Sequence, residues 1–130
     1  MASPKHAVNI RQYLVDTTGL SPVTVGFLTE SPVIQYAVVE YPGPPDVKTH
    51  GAMPGVALDE GSVKVMMRHT TAQTALTNIM TVVDALDGLN ATINSVVYTN
   101  IRLKNRPRLL ERFPDGSLVY IAEFSVQSRR

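Results

Sequence analysis

The chain has 130 residues, 44% of them hydrophobic and 18% charged, with a formal net charge of +1 and no cysteine. That length suits one domain, 1–130, with a core that needs no staples, and the lack of cysteine excludes a disulfide framework, a thiolate nucleophile and a Cys-based zinc site. The charged share is below the roughly 25% usual for a solitary soluble protein, so part of the surface is expected to be covered by partners.

The charge is unevenly placed. From Glu30 to Glu60 stand Glu30, Glu40, Asp46, Asp59 and Glu60 against Lys48, whereas from Arg102 to Arg112 stand Arg102, Lys104, Arg106, Arg108 and Arg112 against Glu111. Blocks of opposite sign in one small chain can meet between copies, head to tail, as well as within one copy. No apolar run approaches the roughly 18 residues that span a membrane, and the N-terminus lacks a signal-peptide apolar region. A protein made and kept in a cytoplasm, with no membrane partner, is expected.

In chain order, Lys5–Thr18 reads as a first helix, with Ala7, Ile10, Leu14 and Thr17 along one side, Ser3 and Pro4 at its start and Gly19 at its end. Val23–Leu28 is a short strand containing Gly26. A turn at Glu30-Ser31-Pro32 leads into a longer strand, Val33–Tyr41, and the two together read as a hairpin.

Residues 42–61 carry Pro42, Pro44, Pro45, Pro54 and four glycines with little periodicity, and read as a long structureless loop. Such loops are usually functional or disordered. Its prolines favour extended geometry, so it reads either as an arm over a neighbour or as a surface excursion.

Ser62–His69 alternates, with Val63, Val65 and Met67 on one face and Lys64, Met66 and Arg68 on the other, as a half-buried strand does. A helix follows directly. Thr70 and Gln73 have capping-box spacing, and Ala72, Ala75, Leu76, Ile79, Val83 and Leu86 make an apolar stripe that Gly88 closes. Its other face, Thr71, Thr74, Thr77, Asn78 and Thr81, is polar but uncharged. A freely solvated face is usually richer in Lys and Glu, so this one suits contact with another protein surface as well as it suits an unremarkable polar face.

After a turn at Leu89–Ala91, Thr92–Lys104 reads as one long strand. Asn105–Arg112, with Pro107, reads as a loop or irregular edge. Pro114-Asp115-Gly116 is a turn, and Ser117–Gln127 is the last strand, with Leu118, Tyr120, Ala122, Phe124 and Val126 inward. The order is α-β-β-loop-β-α-β-β: an α+β domain with two helices and a mixed or antiparallel sheet of about five strands.

No active site emerges from these residues. His6, His50 and His69 lie apart, and none has a second histidine at metal-ligand spacing. There is no nucleophile elbow, dinucleotide-binding glycine motif or phosphate loop. Asp84 and Asp87, near a helix C-terminus where the dipole disfavours acids, invite pairing with the basic segment. That segment also has Leu109, Leu110 and Phe113 among its bases, which favours protein contact or solvation over a DNA-binding patch.

Several short features recur in a known order. They are Pro44-Pro45-Asp46 opening a long loop, then Val63-x-Val65-x-x-Arg68 running into an alanine-spaced helix. Pro107 in a basic stretch, Asp115-Gly116 and a final strand ending Phe124-Ser125-Val126 complete the set. In this pattern, from Pro42 to the C-terminus, the chain resembles the tail terminator (tail completion, minor capsid) proteins of long-tailed phages. The resemblance implies a virion protein, assembled in the host cytoplasm, whose six-fold ring sits at the head-proximal end of the tail. There it would cap the tail tube, end polymerisation and dock the head connector.

Tube protein, connector and further copies of the chain are the implied partners, and DNA would pass through the ring without specific binding. No reaction, cofactor or metal is implied. The residues expected at subunit or tube interfaces are Pro44, Pro45, Asp46, His50, Thr74, Thr77, Asn78, Thr81, Arg102, Arg106, Arg108 and Arg112. The alternatives are a head-completion, connector or tail-tube protein, a small ligand-binding or enzymatic α+β domain using His50 or His69 as base, and a nucleic-acid-binding regulator.

Overall fold

The elements follow one another as helix α1 (His6–Thr18), strands β1 (Val23–Val25), β2 (Gln35–Glu40), β3 (Asp46–Thr49) and β4 (Ala57–His69), helix α2 (Ala72–Leu86), and strands β5 (Leu89–Ile93), β6 (Val96–Arg112) and β7 (Leu118–Arg129). The computed structural model describes residues 6–26, 28, 33–40, 46–49 and 57–129, except for the side chains of 46–49, 57–60 and 129. Among these, seven strands form one mixed sheet in the order β1-β2-β4-β7-β6-β5, with β3 also paired to β4. The α+β class and both helices agree with the sequence reading.

The core is built on alternation. Val63, Val65 and Met67 of β4 face the same side as Leu118, Ala122, Phe124 and Val126 of β7, and Ile10 and Leu14 of α1 join them in one buried cluster with Ala75, Ile79, Val82, Val83 and Leu86 of α2. Burial of this apolar surface is the main stabilising term. The stripe of α2 is rotated from the expected one: Val82 lies inside, while Ala72 and Leu76 lie outside. Its N-terminus also differs. The cap residue is Thr71, without a side-chain cap bond, because the chain bends at Thr70 and helical geometry starts one residue later. His69 Nδ1 accepts the Thr71 N–H at 3.0 Å instead.

Four further expectations are corrected. The β1–β2 pair is parallel, Val23 opposite Tyr36, so it is not a hairpin. The expected turn at Glu30-Ser31-Pro32 lies outside the described residues, and a turn signal carries no information on which partner the next strand meets. Gly26 closes β1, its N–H donating to the Val38 carbonyl at 2.9 Å.

The loop at 42–61 contains β3 and the first residues of β4, which pair antiparallel from Asp46↔Glu60 to Thr49↔Ala57. Thr92–Lys104 is not one strand. Leu89–Ile93 and Val96–Arg112 form a hairpin around Asn94 and Ser95, whose φ values of 49° and 67° are both left-handed, as the commonest two-residue hairpin turns require. Finally, Asn105–Arg112 continues β6 against β7, with register shifts that accommodate Pro107 between the Asn105 and Arg108 pairs.

A buried polar cluster ties α1 to the rest. The Tyr98 hydroxyl lies 2.9 Å from His6 Nδ1 and accepts the Asn9 Nδ2–H at 2.9 Å. Asn9 Oδ1 accepts from Asn94 Nδ2 at 2.9 Å, which connects the helix to the β5–β6 turn. Burial, only partly offset by the Asn9 hydrogen bond and reinforced by the Glu40 carboxylate, pushes the Tyr98 phenol up to about 12. Glu40 also accepts the Ala7 N–H at 2.9 Å, an acid at a helix N-terminus where the dipole favours it. Gly61 permits this approach: a Cβ there would stand 3.2 Å from His6 Cδ2.

Candidate functional site

Two surfaces carry the residues singled out in the sequence. On α2, Thr74, Thr77 and Thr81 are exposed. The Thr77 and Thr81 hydroxyls donate to the carbonyls of Gln73 and Thr77 at 3.0 and 3.1 Å. This internal pairing leaves their methyl groups as the larger part of what they present. Leu76 and Met80 stand between them, 44% and 40% exposed. The face is therefore partly apolar, which the expected stripe concealed by placing Leu76 inside. Asn78 is half-buried, and its amide donates to the Tyr36 hydroxyl at 3.0 Å.

The second surface is the C-terminal half of β6. β5 accompanies β6 only from Val96 to Ile101, whereas β7 pairs with it as far as Arg112. Asp87, at the end of α2, accepts the Leu103 N–H at 2.9 Å. This acid bonds to the backbone of the basic segment rather than to a base. Beyond it, the outer edge of β6 carries no strand among the described residues. Arg102, Arg106, Arg108 and Arg112 are exposed along it. Arg102 Nε donates to Asn100 Oδ1 at 3.2 Å, and Arg108 forms an ion pair with Glu123 at 3.1 Å. Leu109 and Leu110 are 39% and 49% exposed.

The two surfaces meet one end of the sheet. His69, Leu118 and Arg112 lie in one row of the β4-β7-β6 register, and α2 starts three residues after His69. Of the remaining expected interface residues, Asp46 begins β3, opposite Glu60. Pro44, Pro45 and His50 lie outside the described residues.

The face of the sheet away from the two described helices holds a shallow concavity of about 280 Å³ lined by Gly61, Ser62, Asn100, Lys104, Ser125, Val126 and Gln127. Its groups are amides, hydroxyls and one ammonium, with Lys104 donating to the Ser62 hydroxyl. Such a set offers hydrogen bonds but no paired acid and base. Sequence reasoning missed this hollow because its residues come from three strands. Among the described residues, no group of three His, Asp or Glu side chains is placed to hold a metal. No described helix is long and apolar enough to cross a membrane.

Between β6 and β7 the expected turn is present. The Asp115 carboxylate accepts the Ser117 N–H and hydroxyl at 2.8 and 2.6 Å and pairs with Arg68 at 3.0 Å. The Ser117 bonds first, then the Arg68 charge, hold its carboxyl below the usual range. Arg68 also lies over the Phe113 ring at 4.7 Å.

The fold has counterparts among solved structures. A chain from the virion of a native gene transfer agent particle matches with a TM-score of 0.66 and 14% identity, over 95% of this chain and 94% of its own. A second solved chain matches with a TM-score of 0.58 and 9% identity, over 96% and 90%. No family profile and no curated protein sequence matches this chain.

The edge of β6 yields one local prediction. Asp87→Ala removes the acceptor for the Leu103 amide, so native-state hydrogen exchange at Leu103 should quicken while exchange in the centre of β7 is unchanged. The cost should be about 0.5–1.5 kcal/mol, the net worth of one hydrogen bond. Unchanged exchange at Leu103 would show that the carboxylate does not close this edge.

Proposed function

We propose that this chain is a structural component of a phage or phage-like virion, and specifically a tail terminator. In this reading, copies close into a ring, most simply a hexamer, on the last ring of tube protein. The ring ends tail polymerisation and presents its other side to the head connector, and no catalysis or cofactor enters. The observation that carries the reading is the end-to-end likeness of fold to a chain of a gene transfer agent virion. The tail-terminator-like order of motifs in the sequence adds the finer assignment.

The chemistry of the surfaces supports an assembly role. A ring needs two different, complementary patches on each copy. Here the described surface offers an exposed Thr, Leu and Met face on α2 and a basic strand edge on β6, and the sequence adds a stretch of opposite charge at residues 30–60. Arg106, Arg108 and Arg112 on β6, and Thr74, Thr77, Thr81 and Met80 on α2, are proposed to contact a neighbouring copy or the tube.

The reading is tested by adding the purified protein to tube subunits during polymerisation. Tubes should stop growing with added protein at one end only, and their mean length should fall as the ratio of this protein to tube subunit rises. Unchanged tube lengths, or co-polymerisation along the whole tube, would remove the terminator assignment.

A further inference from the structure

We infer that the outer edge of β6, residues 104–112, is completed by a backbone-paired strand from a second copy of this chain, supplied by the acidic β3–β4 end of that copy's sheet. The inference deepens the ring reading above, and rests on it for closure of the copies into a ring.

The first ground is the hydrogen-bonding state of β6. Its inner edge pairs with β7 to Arg112, its outer edge pairs with β5 only to Ile101, and Asp87 takes the Leu103 N–H. From residue 104 onward the outer N–H and C=O groups face away from the sheet, and no described strand meets them. At about 3.3 Å per residue, this is about 30 Å of open ladder. An edge of that length is a template for another strand, and strand addition at such edges is an established mode of recognition.

Charge decides which strand fits. Residues 104–112 hold Lys104, Arg106, Arg108 and Arg112 against Glu111, a net +3 in sequence and +2 once the Arg108–Glu123 ion pair is counted. Two β6 edges paired with each other would bring these bases face to face, and like charges across a strand pair are destabilising. The edge therefore selects against a second β6 edge and for an acidic partner strand.

The same sheet provides one. β3 pairs with residues 57–60 of β4, on the edge of β4 away from β7, and among the described residues no strand pairs with its other side. Residues 46–49 and 57–60 hold Asp46, Asp59 and Glu60 against Lys48, a net −2.

The two open edges lie on opposite sides of one sheet and differ in sign. A contact between them is heterologous, so repeated copies make a closed ring or an open filament and not a two-fold dimer. Leu109 and Leu110, adjacent residues at a register shift and both exposed, give the contact apolar anchors.

The test is a charge swap with a backbone readout. Arg106→Glu with Arg112→Glu reverses the β6 edge, and Asp46→Lys with Glu60→Lys reverses the acidic edge. Each double variant is first checked for unaltered circular dichroism and unfolding midpoint. By sedimentation, each alone should associate at least about tenfold more weakly than wild type, and an equimolar mixture should recover association, because reversed edges then face each other in alternation.

In the associated wild type, outward-pointing amides of residues 104–112 should be protected from hydrogen exchange. Three results would overturn the inference: exchange there as fast in the assembly as in the monomer, no recovery in the mixture, or a wild type still monomeric at about 1 mM. The two readings separate. Tube capping without protection at 104–112 removes the strand pairing and leaves the terminator role. Protection and charge-swap recovery without tube capping does the reverse.

Discussion

Tyr98→Ala is expected to destabilise the fold by about 3–5 kcal/mol through loss of a fully buried ring. It also leaves Asn9 and His6 without the hydroxyl they share. Against a total stability of about 5–15 kcal/mol for a domain, that is a large fraction. Tyr98→Phe separates the contributions. It keeps the ring and removes only the hydroxyl, so it should cost about 1–3 kcal/mol, the penalty of stranding buried partners. Urea unfolding with a fixed slope measures both. Equal losses in the two variants would mean that the polar cluster, not the ring, dominates.

The same residue sets an alkaline limit. Its folded pKa of about 12 lies above the ordinary value of 10 because burial opposes the phenolate. The native state therefore holds the proton over a window in which the unfolded chain has released it. The resulting stability is complete below pH 10 and is lost as pH rises through 12. Tyr36, also raised by burial, contributes in the same direction. The difference between wild type and Tyr98→Phe should therefore shrink across this window, whereas the Tyr36 share remains in both.

Phe124→Ala is the second severe substitution. Phe124 lies opposite Val63 of β4 and Leu103 of β6, at the centre of the sheet and under the helices, and is almost wholly buried. Truncation should cost about 3–5 kcal/mol and lower the urea midpoint without altering the slope. Leu110→Ala is the contrast. With that side chain about half exposed at the sheet edge, stability should change by no more than about 0.5 kcal/mol, so any loss of association would report on the interface and not on folding.

The parts of the fold that were legible in the sequence are those with an uninterrupted period. β4 from Ser62, the inward residues of β7, the buried Ala7, Ile10 and Leu14 of α1, and the Pro114-Asp115-Gly116 turn all repeat or punctuate cleanly. What was not legible has specific causes. The β5–β6 hairpin turns on Asn94-Ser95, which lacks the glycine that usually marks such turns. The second half of β6 has several register shifts, and each shift moves the alternation to the other face. β3 lies among prolines and glycines, where pairing with β4 outweighs weak local preference.

The candidate surfaces were legible as charge and composition, since the basic residues of 102–112 and the threonines of α2 are in fact exposed. Their character was not. That the basic residues form a strand whose outer edge meets no strand among the described residues, and that Leu76 joins the exposed helix face, follow from tertiary pairing. Asn78, on the polar side of α2 by sequence, is also tied to Tyr36, a long-range partner that no local pattern reveals.

The most direct measurement of the central claim is tail length in particles made without this gene. Electron microscopy of such lysates should show overlong, irregular tails beside unattached, filled heads, with normal length restored by the gene in trans. Tails of normal length beside unattached or leaking heads would contradict the terminator role and place the chain at the connector. Intact, infectious particles would contradict a structural role altogether.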